Sequence, residues 1–162
     1  MKKLFAVTAL ALLACACMFK PLPEIPTLGD ITLPLVAEEE TLWKSTDYKG
    51  KPVLVVFMGS WCPYCKMSMP AVQATKEKFG DKVEVVAIFI DSDAEKVKEV
   101  IKSHNFTEKA LFDGGQVAES MEVNGLPHAI VFDKKHRVIN VWEGFSPTRA
   151  DDFNAALEKL TK

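Results

Sequence analysis

The fold is decided by the stretch Val53-Leu54-Val55-Val56-Phe57-Met58-Gly59-Ser60-Trp61-Cys62-Pro63-Tyr64-Cys65. Its first six residues are apolar, which is typical of a central strand that is covered on both faces. Pro63 suits the first turn of a helix, where no amide donor is needed, so a helix is predicted over 63–79. That order places the Cys62 thiol at a helix N-terminus, where the amide dipoles stabilise the reactive thiolate. Because Cys65 lies within reach, the pair can cycle between a dithiol and a disulfide.

The length and composition of the chain allow one domain and a leader. The chain has 162 residues, of which 48% are hydrophobic, and its formal net charge is -2. The basic residues are scattered among acidic ones and form no stripe, so we expect no nucleic-acid partner.

The first 14 residues are typical of a signal peptide. A short cationic start precedes the apolar run Leu4–Ala14, which is too short to span a bilayer as a mature helix. The run ends in Leu12-Leu13-Ala14-Cys15, which resembles the bacterial lipobox. That resemblance implies cleavage before Cys15 and acylation of this cysteine, so we expect a lipid anchor in a membrane.

Two alternatives to lipidation at Cys15 stay open. A secretory signal could be cut after Ala16, releasing a soluble protein, or the weaker site Cys17 could be lipidated. Each alternative takes the protein out of the cytoplasm, to the periplasmic or cell-envelope side of a bacterial membrane. Prolines stand at positions 21, 23, 26 and 34, so we expect an extended tether over 15–30 and the folded domain over 31–162.

The cysteine count favours a working pair over a structural one. Two of the four cysteines belong to the leader region, which leaves only Cys62 and Cys65 in the folded domain. A small exported domain with one pair is not a disulfide scaffold, so we expect this pair to perform redox exchange.

The rest of the chain alternates between strand and helix patterns. Trp43 is expected in the core within a helical turn over 41–48, and Asp93 is expected to cap a helix. Strands are predicted over 31–36, 53–58, 83–90, 110–112, 129–132 and 138–142, and helices over 63–79, 93–104, 116–123 and 148–160. This order indicates an α/β fold with parallel central strands and a hairpin that adds an antiparallel edge.

From about residue 31 onwards the chain resembles the thioredoxin superfamily. One anchor is Trp61-Cys62-x-x-Cys65-Lys66-Met67-x-x-Pro70, and the other is Gly125-Leu126-Pro127 directly before the hairpin. The resemblance implies a thioredoxin-like fold, with a central mixed sheet flanked by helices. The leader, an extra N-terminal strand, the phrase over 50–57 and a helical insert over 93–123 are similar to the exported, membrane-attached TlpA-like oxidoreductases.

The resemblance also implies roles around the two cysteines. In the family, Pro127 would be a cis proline beside the cysteines, and Leu126 would present its amide and carbonyl to substrate. The alternative is an ordinary trans turn. Trp61 is either a substrate-docking residue or a core residue. Pro63 and Tyr64 are active-site neighbours, and we expect Tyr64 to be exposed.

Cys62 is expected to be the nucleophile and Cys65 the resolving thiol, with a static disulfide as the alternative. The family resemblance favours a reductase of exported protein disulfides that is recharged by an upstream redox partner. The alternative direction is a thiol oxidase for secreted proteins. We expect a monomer that needs no cofactor.

The chain departs from the family pattern at two positions, and the place of one histidine is open. Val56 and Ser68 stand where the family implies carboxylates that move protons. Ser68 could relay a proton through water, although a helix-surface position is the expectation. His128 either lies within several ångströms of the cysteines as an active-site neighbour or points away.

A third function is a Cu(I)-binding or delivery module, because soft sulfur ligands suit that ion. Its ligands would be Cys62, Cys65 and His128, with Met58, Met67 or Met69 nearby. The leading assignment has no metal site.

Overall fold

The structure is a computed structural model that describes residues 27–162. The predicted signal peptide, the lipidation candidates Cys15 and Cys17, and most of the predicted tether lie outside the described residues. Within the described part, no helix is long and apolar enough to cross a membrane.

The domain is built on a mixed five-stranded sheet with strand order β5-β4-β3-β6-β7 and a separate two-stranded hairpin, β1-β2. The strands are β1 Thr32–Pro34, β2 Leu42–Lys44, β3 Val53–Met58, β4 Glu84–Phe89, β5 Lys109–Leu111, β6 His128–Phe132 and β7 Val138–Glu143. The helices are α1 Pro63–Phe79, α2 Ala94–Ser103, α3 Gly115–Ser120 and α4 Arg149–Leu160, with short 3-10 helices at Ser45–Tyr48 and Gly80–Lys82.

The pairing of the strands confirms the predicted α/β architecture. β3 pairs in parallel with β4, and β4 pairs in parallel with β5. β6 pairs antiparallel with β3 and forms the predicted hairpin with β7. This is a thioredoxin-like fold, preceded by the β1-β2 hairpin.

The central strand β3 contributes to a core on each face of the sheet. All six of its residues are buried, which explains the unbroken apolar run. Val56 and Met58 share one core with both cysteines, and this core also takes residues from α1 and α4. Val55 and Phe57 point to the other face and pack in a second core.

The structure differs from the predictions near the N-terminus of the domain. The helical turn predicted over 41–48 is wrong in its first half, which forms β2, and only Ser45–Tyr48 is helical. Trp43 is buried as expected, and its Nε1 donates to buried Glu84. Leu28, within the predicted tether, packs in the second core and its backbone N–H donates to the carbonyl of His136 at 2.9 Å.

Candidate active site

The Cys62 sulfur caps the helix that carries the second cysteine. Cys62 is the N-cap residue of α1 with an extended backbone, and Pro63 follows in the first turn. The Cys62 Sγ accepts a hydrogen bond from the Cys65 N–H at 3.2 Å. A sulfur in this place receives both a hydrogen bond and the positive end of the helix dipole, which favours the thiolate when the pair is reduced.

The two cysteines form a disulfide, with Cα atoms 5.2 Å apart. Cys62 keeps 8% of its surface exposed, whereas Cys65 is fully buried. An incoming sulfur can therefore reach Cys62 and not Cys65, which suits attack by the former and resolution by the latter.

The loop before β6 lies directly against the disulfide. The Leu126–Pro127 peptide bond is cis, and the Leu126 carbonyl oxygen lies 3.8 Å from the Cys62 Sγ. The Pro127 carbonyl accepts from the Gly144 N–H at 2.8 Å, and Arg149 donates to the Gly144 carbonyl at 3.2 Å. These bonds tie the proline loop to the end of β7 and the start of α4.

An apolar rim surrounds the disulfide on the surface. Trp61, Tyr64 and Met67 are 61%, 58% and 54% exposed. The Tyr64 ring stacks on Phe145 with centroids 6.4 Å apart. Trp61 is thus a surface residue and not a core residue, and the exposed side chains of the rim form an apolar patch.

Asp91, which the sequence reasoning missed, holds the loop before Cys62. The Ser60 N–H donates to the Asp91 Oδ2 at 2.9 Å, and the Ser60 hydroxyl donates to Oδ1. Both residues are largely buried. The sequence did contain a signal for this contact. Ser60 follows β3 and Asp91 follows β4, and the carboxyl ends of neighbouring parallel strands meet at one edge of the sheet.

The surroundings behind the disulfide are apolar and uncharged on the α1 side. Val56 is buried, and Ser68, expected on the helix surface, is instead buried with its hydroxyl donating to the Tyr64 carbonyl at 2.9 Å. Both line a cavity of about 10 Å³ that Arg149 also reaches, and its described lining includes no carboxylate. The cavity is at the lower limit of space for one water molecule.

His128 lies on the opposite face of the sheet from the cysteines, which corresponds to the second of the two alternatives that the sequence left open, a side chain that points away. Ala129, its neighbour, shares the core of the cysteines, whereas the His128 ring contacts Phe57 with centroids 6.4 Å apart. Burial lowers the pKa of His128 below 6.5, although nearby Glu143 raises it. The ligand set considered for Cu(I) is therefore not brought together through His128.

Comparisons with known proteins agree with this geometry. The Redoxin family model matches residues 23–159. Thiol-disulfide oxidoreductase ResA of Bacillus thuringiensis subsp. konkukian (strain 97-27) is 32% identical over 100 residues, which are 60% of this chain and 58% of ResA. The chain thus spans little more than half the length of that relative.

Two solved structures share the fold. The thiol:disulfide interchange protein assigned as DsbE from Chlorobium tepidum has a TM-score of 0.78 at 22% identity, covering 88% of this chain and 100% of that one. The exposed lipoprotein thioredoxin Etrx1 of Streptococcus pneumoniae strain TIGR4 has a TM-score of 0.71 at 24% identity, covering 81% and 99%.

Proposed function

The chain belongs to the Redoxin family, and we propose that it is a thiol–disulfide oxidoreductase that reduces disulfides of exported proteins. The observation that carries the proposal is the Cys62–Cys65 disulfide at the N-terminus of α1, with one sulfur at the surface and the cis Leu126–Pro127 loop against it. The similarity to ResA, which is a thiol-disulfide oxidoreductase by name, supports the same activity.

In the proposed reaction the Cys62 thiolate attacks a substrate disulfide. A bond forms between the Cys62 sulfur and one substrate sulfur, and the other substrate sulfur leaves as a thiolate and takes a proton. Cys65 then loses its proton and attacks Cys62, which releases the second substrate thiol and restores the Cys62–Cys65 disulfide. The substrate gains two electrons, and an upstream redox partner must return two electrons to the protein.

The reduction potential of the pair tests the direction. A value near that of thioredoxin, about -270 mV, supports a reductase, whereas a value near about -120 mV would make the protein a thiol oxidase. The measurement is the equilibrium of the pair with a thiol–disulfide buffer of known potential.

Replacing the resolving thiol tests the roles of the two cysteines. Cys65→Ser should accumulate a mixed disulfide between Cys62 and a model disulfide substrate, because the second step is removed. Cys62→Ser is the matched control and should form no adduct at the buried Cys65. Equal labelling of the two variants would reject the assignment.

The proposal includes a lipid anchor at Cys15 on the outer side of a bacterial membrane. It is supported by the apolar run that ends at Leu12-Leu13-Ala14-Cys15 and by the prolines that follow. Mass spectrometry of the mature N-terminus should show an acylated Cys15, and Cys15→Ser should release the protein from membranes. Cys17→Ser is the control. If acylation is lost in that variant alone, the acylated residue is Cys17 and not Cys15.

A further inference from the structure

A groove lies on the face of the sheet opposite to the disulfide. It has a volume of about 510 Å³ and runs between β6, β7 and the segment that follows α3. Its floor is apolar and includes Ile130, Phe132 and Val141. Val141 is 48% exposed, so part of this floor is open to a partner.

The charged residues that line the groove are both acidic. Glu143 stands at the end of β7 and Glu122 follows α3, and Asn124 adds a further polar group. The Glu143 side chain is 64% exposed. Within the described lining, no lysine or arginine offsets these carboxylates, so the groove attracts a cation.

His128 is the most buried polar residue in the described lining of the groove. Its side chain is 4% exposed, and its Nδ1 has no hydrogen-bond partner among the described residues. The nearest carboxylate oxygen, Glu143 Oε1, is 3.7 Å away, which is too far for a hydrogen bond. Buried polar atoms without partners are uncommon, so this nitrogen points to a ligand that supplies one.

The groove adjoins the proline loop, because Asn124 and His128, which line it, flank that loop in the chain. The Leu126 carbonyl lies 3.8 Å from the Cys62 Sγ, and His128 follows only two residues later. An extended polypeptide advances about 3.3 Å per residue. A substrate that passes over the proline loop from one face of the sheet to the other would place a side chain two or three residues from its cysteine over the groove while that cysteine is at Cys62.

We propose that this groove binds an arginine or lysine side chain of the polypeptide substrate, two or three residues from its reacting cysteine. The proposal rests on the proposed function and names its substrate class. The aliphatic stem of the basic residue packs on the apolar floor, as long cationic side chains do elsewhere. Its charged end donates hydrogen bonds to Glu143 and Glu122, and one N–H meets the Nδ1 of His128.

Single-turnover reduction of short peptides tests this specificity. Each peptide carries one cysteine in a mixed disulfide with thionitrobenzoate. The reduced protein converts it to a peptide thiol and free thionitrobenzoate, and Cys62 and Cys65 become a disulfide. Arginine is placed at each of the three positions on either side of the cysteine and is compared with citrulline, its neutral isostere.

We expect arginine to raise the rate about fivefold over citrulline at one position on one side, the upper end of what a half-exposed ion pair gives. Glu143→Gln should bring this ratio close to one. Glu77→Gln, which removes an exposed carboxylate on α1 away from the groove, should keep the ratio.

Two outcomes would overturn the proposal, and they differ from failure of the proposed function. Equal rates for the arginine and citrulline peptides at every position would show that the groove binds no basic side chain of the substrate. If the ratio of the arginine rate to the citrulline rate is kept in Glu143→Gln but falls in Glu77→Gln, the preference for arginine arises outside the groove. If the reduced protein converts none of the peptides, the oxidoreductase assignment itself fails.

Discussion

Removing the Asp91 carboxylate should destabilise the loop that leads into Cys62. The carboxylate accepts two hydrogen bonds from Ser60, one from the backbone N–H and one from the hydroxyl. Hydrogen bonds to a charged group contribute about 1.5–3 kcal/mol each. We take the lower value for each bond. Asp91→Ala should therefore lower the free energy of unfolding by about 3 kcal/mol.

A double-mutant cycle makes the reasoning refutable. Ser60→Ala removes one of the two bonds and should cost about 1.5 kcal/mol, and adding it to Asp91→Ala should cost nothing more. The coupling between the two sites is then about 1.5 kcal/mol. Urea unfolding of the oxidised protein, followed by circular dichroism, measures each value. If the losses of unfolding free energy in the two single variants add up in the double variant, the hydrogen bond between Ser60 and Asp91 is refuted.

The control is Asp81→Ala, which removes the same charge from an exposed residue. Asp81 forms only a surface ion pair with Lys76 at 3.5 Å, so its loss should cost less than about 1 kcal/mol. The reduction potential gives a second check. The Asp91 side chain hydrogen-bonds to Ser60, so we expect both redox forms to lose equal stability. A shift of about 30 mV, equivalent to 1.4 kcal/mol, would show that the loop differs between them.

Three further perturbations test other parts of the structure. Unfolded histidine takes a proton near pH 6.5, but burial lowers the pKa of folded His128. The contribution of His128 to the free energy of unfolding should therefore be complete above about pH 6.5 and should fall as the pH drops from there towards the folded pKa. Urea midpoints measured from pH 5 to 7.5 should show this slope, and His128→Gln should flatten it. Lys109→Met leaves the buried Glu84 carboxylate without its partner at 2.7 Å. It should cost about 2 kcal/mol in urea unfolding, less than for a fully buried pair because the lysine reaches solvent, and Glu84→Gln in the same chain should recover most of it. Arg149→Met removes the hydrogen bond to Gly144 that supports the proline loop. Single-turnover reduction should slow about fivefold through misplacement of that loop, with partial recovery in Arg149→Lys; an unchanged rate would separate the loop from this arginine.

The first and last residues of a strand or helix could be predicted where the element carries a long sequence pattern. The unbroken apolar run of β3 and the proline in the first turn of α1 define both elements, and the structure confirms their predicted bounds. The strand β2 was missed because three residues carry no usable periodicity. It exists because Leu33 pairs with Trp43 across the hairpin, which is a tertiary contact.

Side-chain directions in the site were less predictable than positions along the chain. His128 could face either side of the sheet, and the pairing of His128 with Phe57 and of Ala129 with Val56 decides the face. A one-residue change of register would have reversed it. Ser68 was expected at the helix surface, but it is buried, and its hydroxyl bonds to the carbonyl of Tyr64 one turn earlier.

The charges around the disulfide bear on the direction of the reaction. A nearby carboxylate disfavours a thiolate, and the two places where the family resemblance implies one hold Val56 and Ser68. Arg149 reaches the same cavity, but Asp152 balances its charge at 3.0 Å. The N-terminus of α1 remains as an influence that stabilises a Cys62 thiolate. A stabilised thiolate favours the dithiol and raises the reduction potential. The direction that we propose is reductive, whereas this charge arrangement shifts the pair towards an oxidant, and the measured potential decides between them.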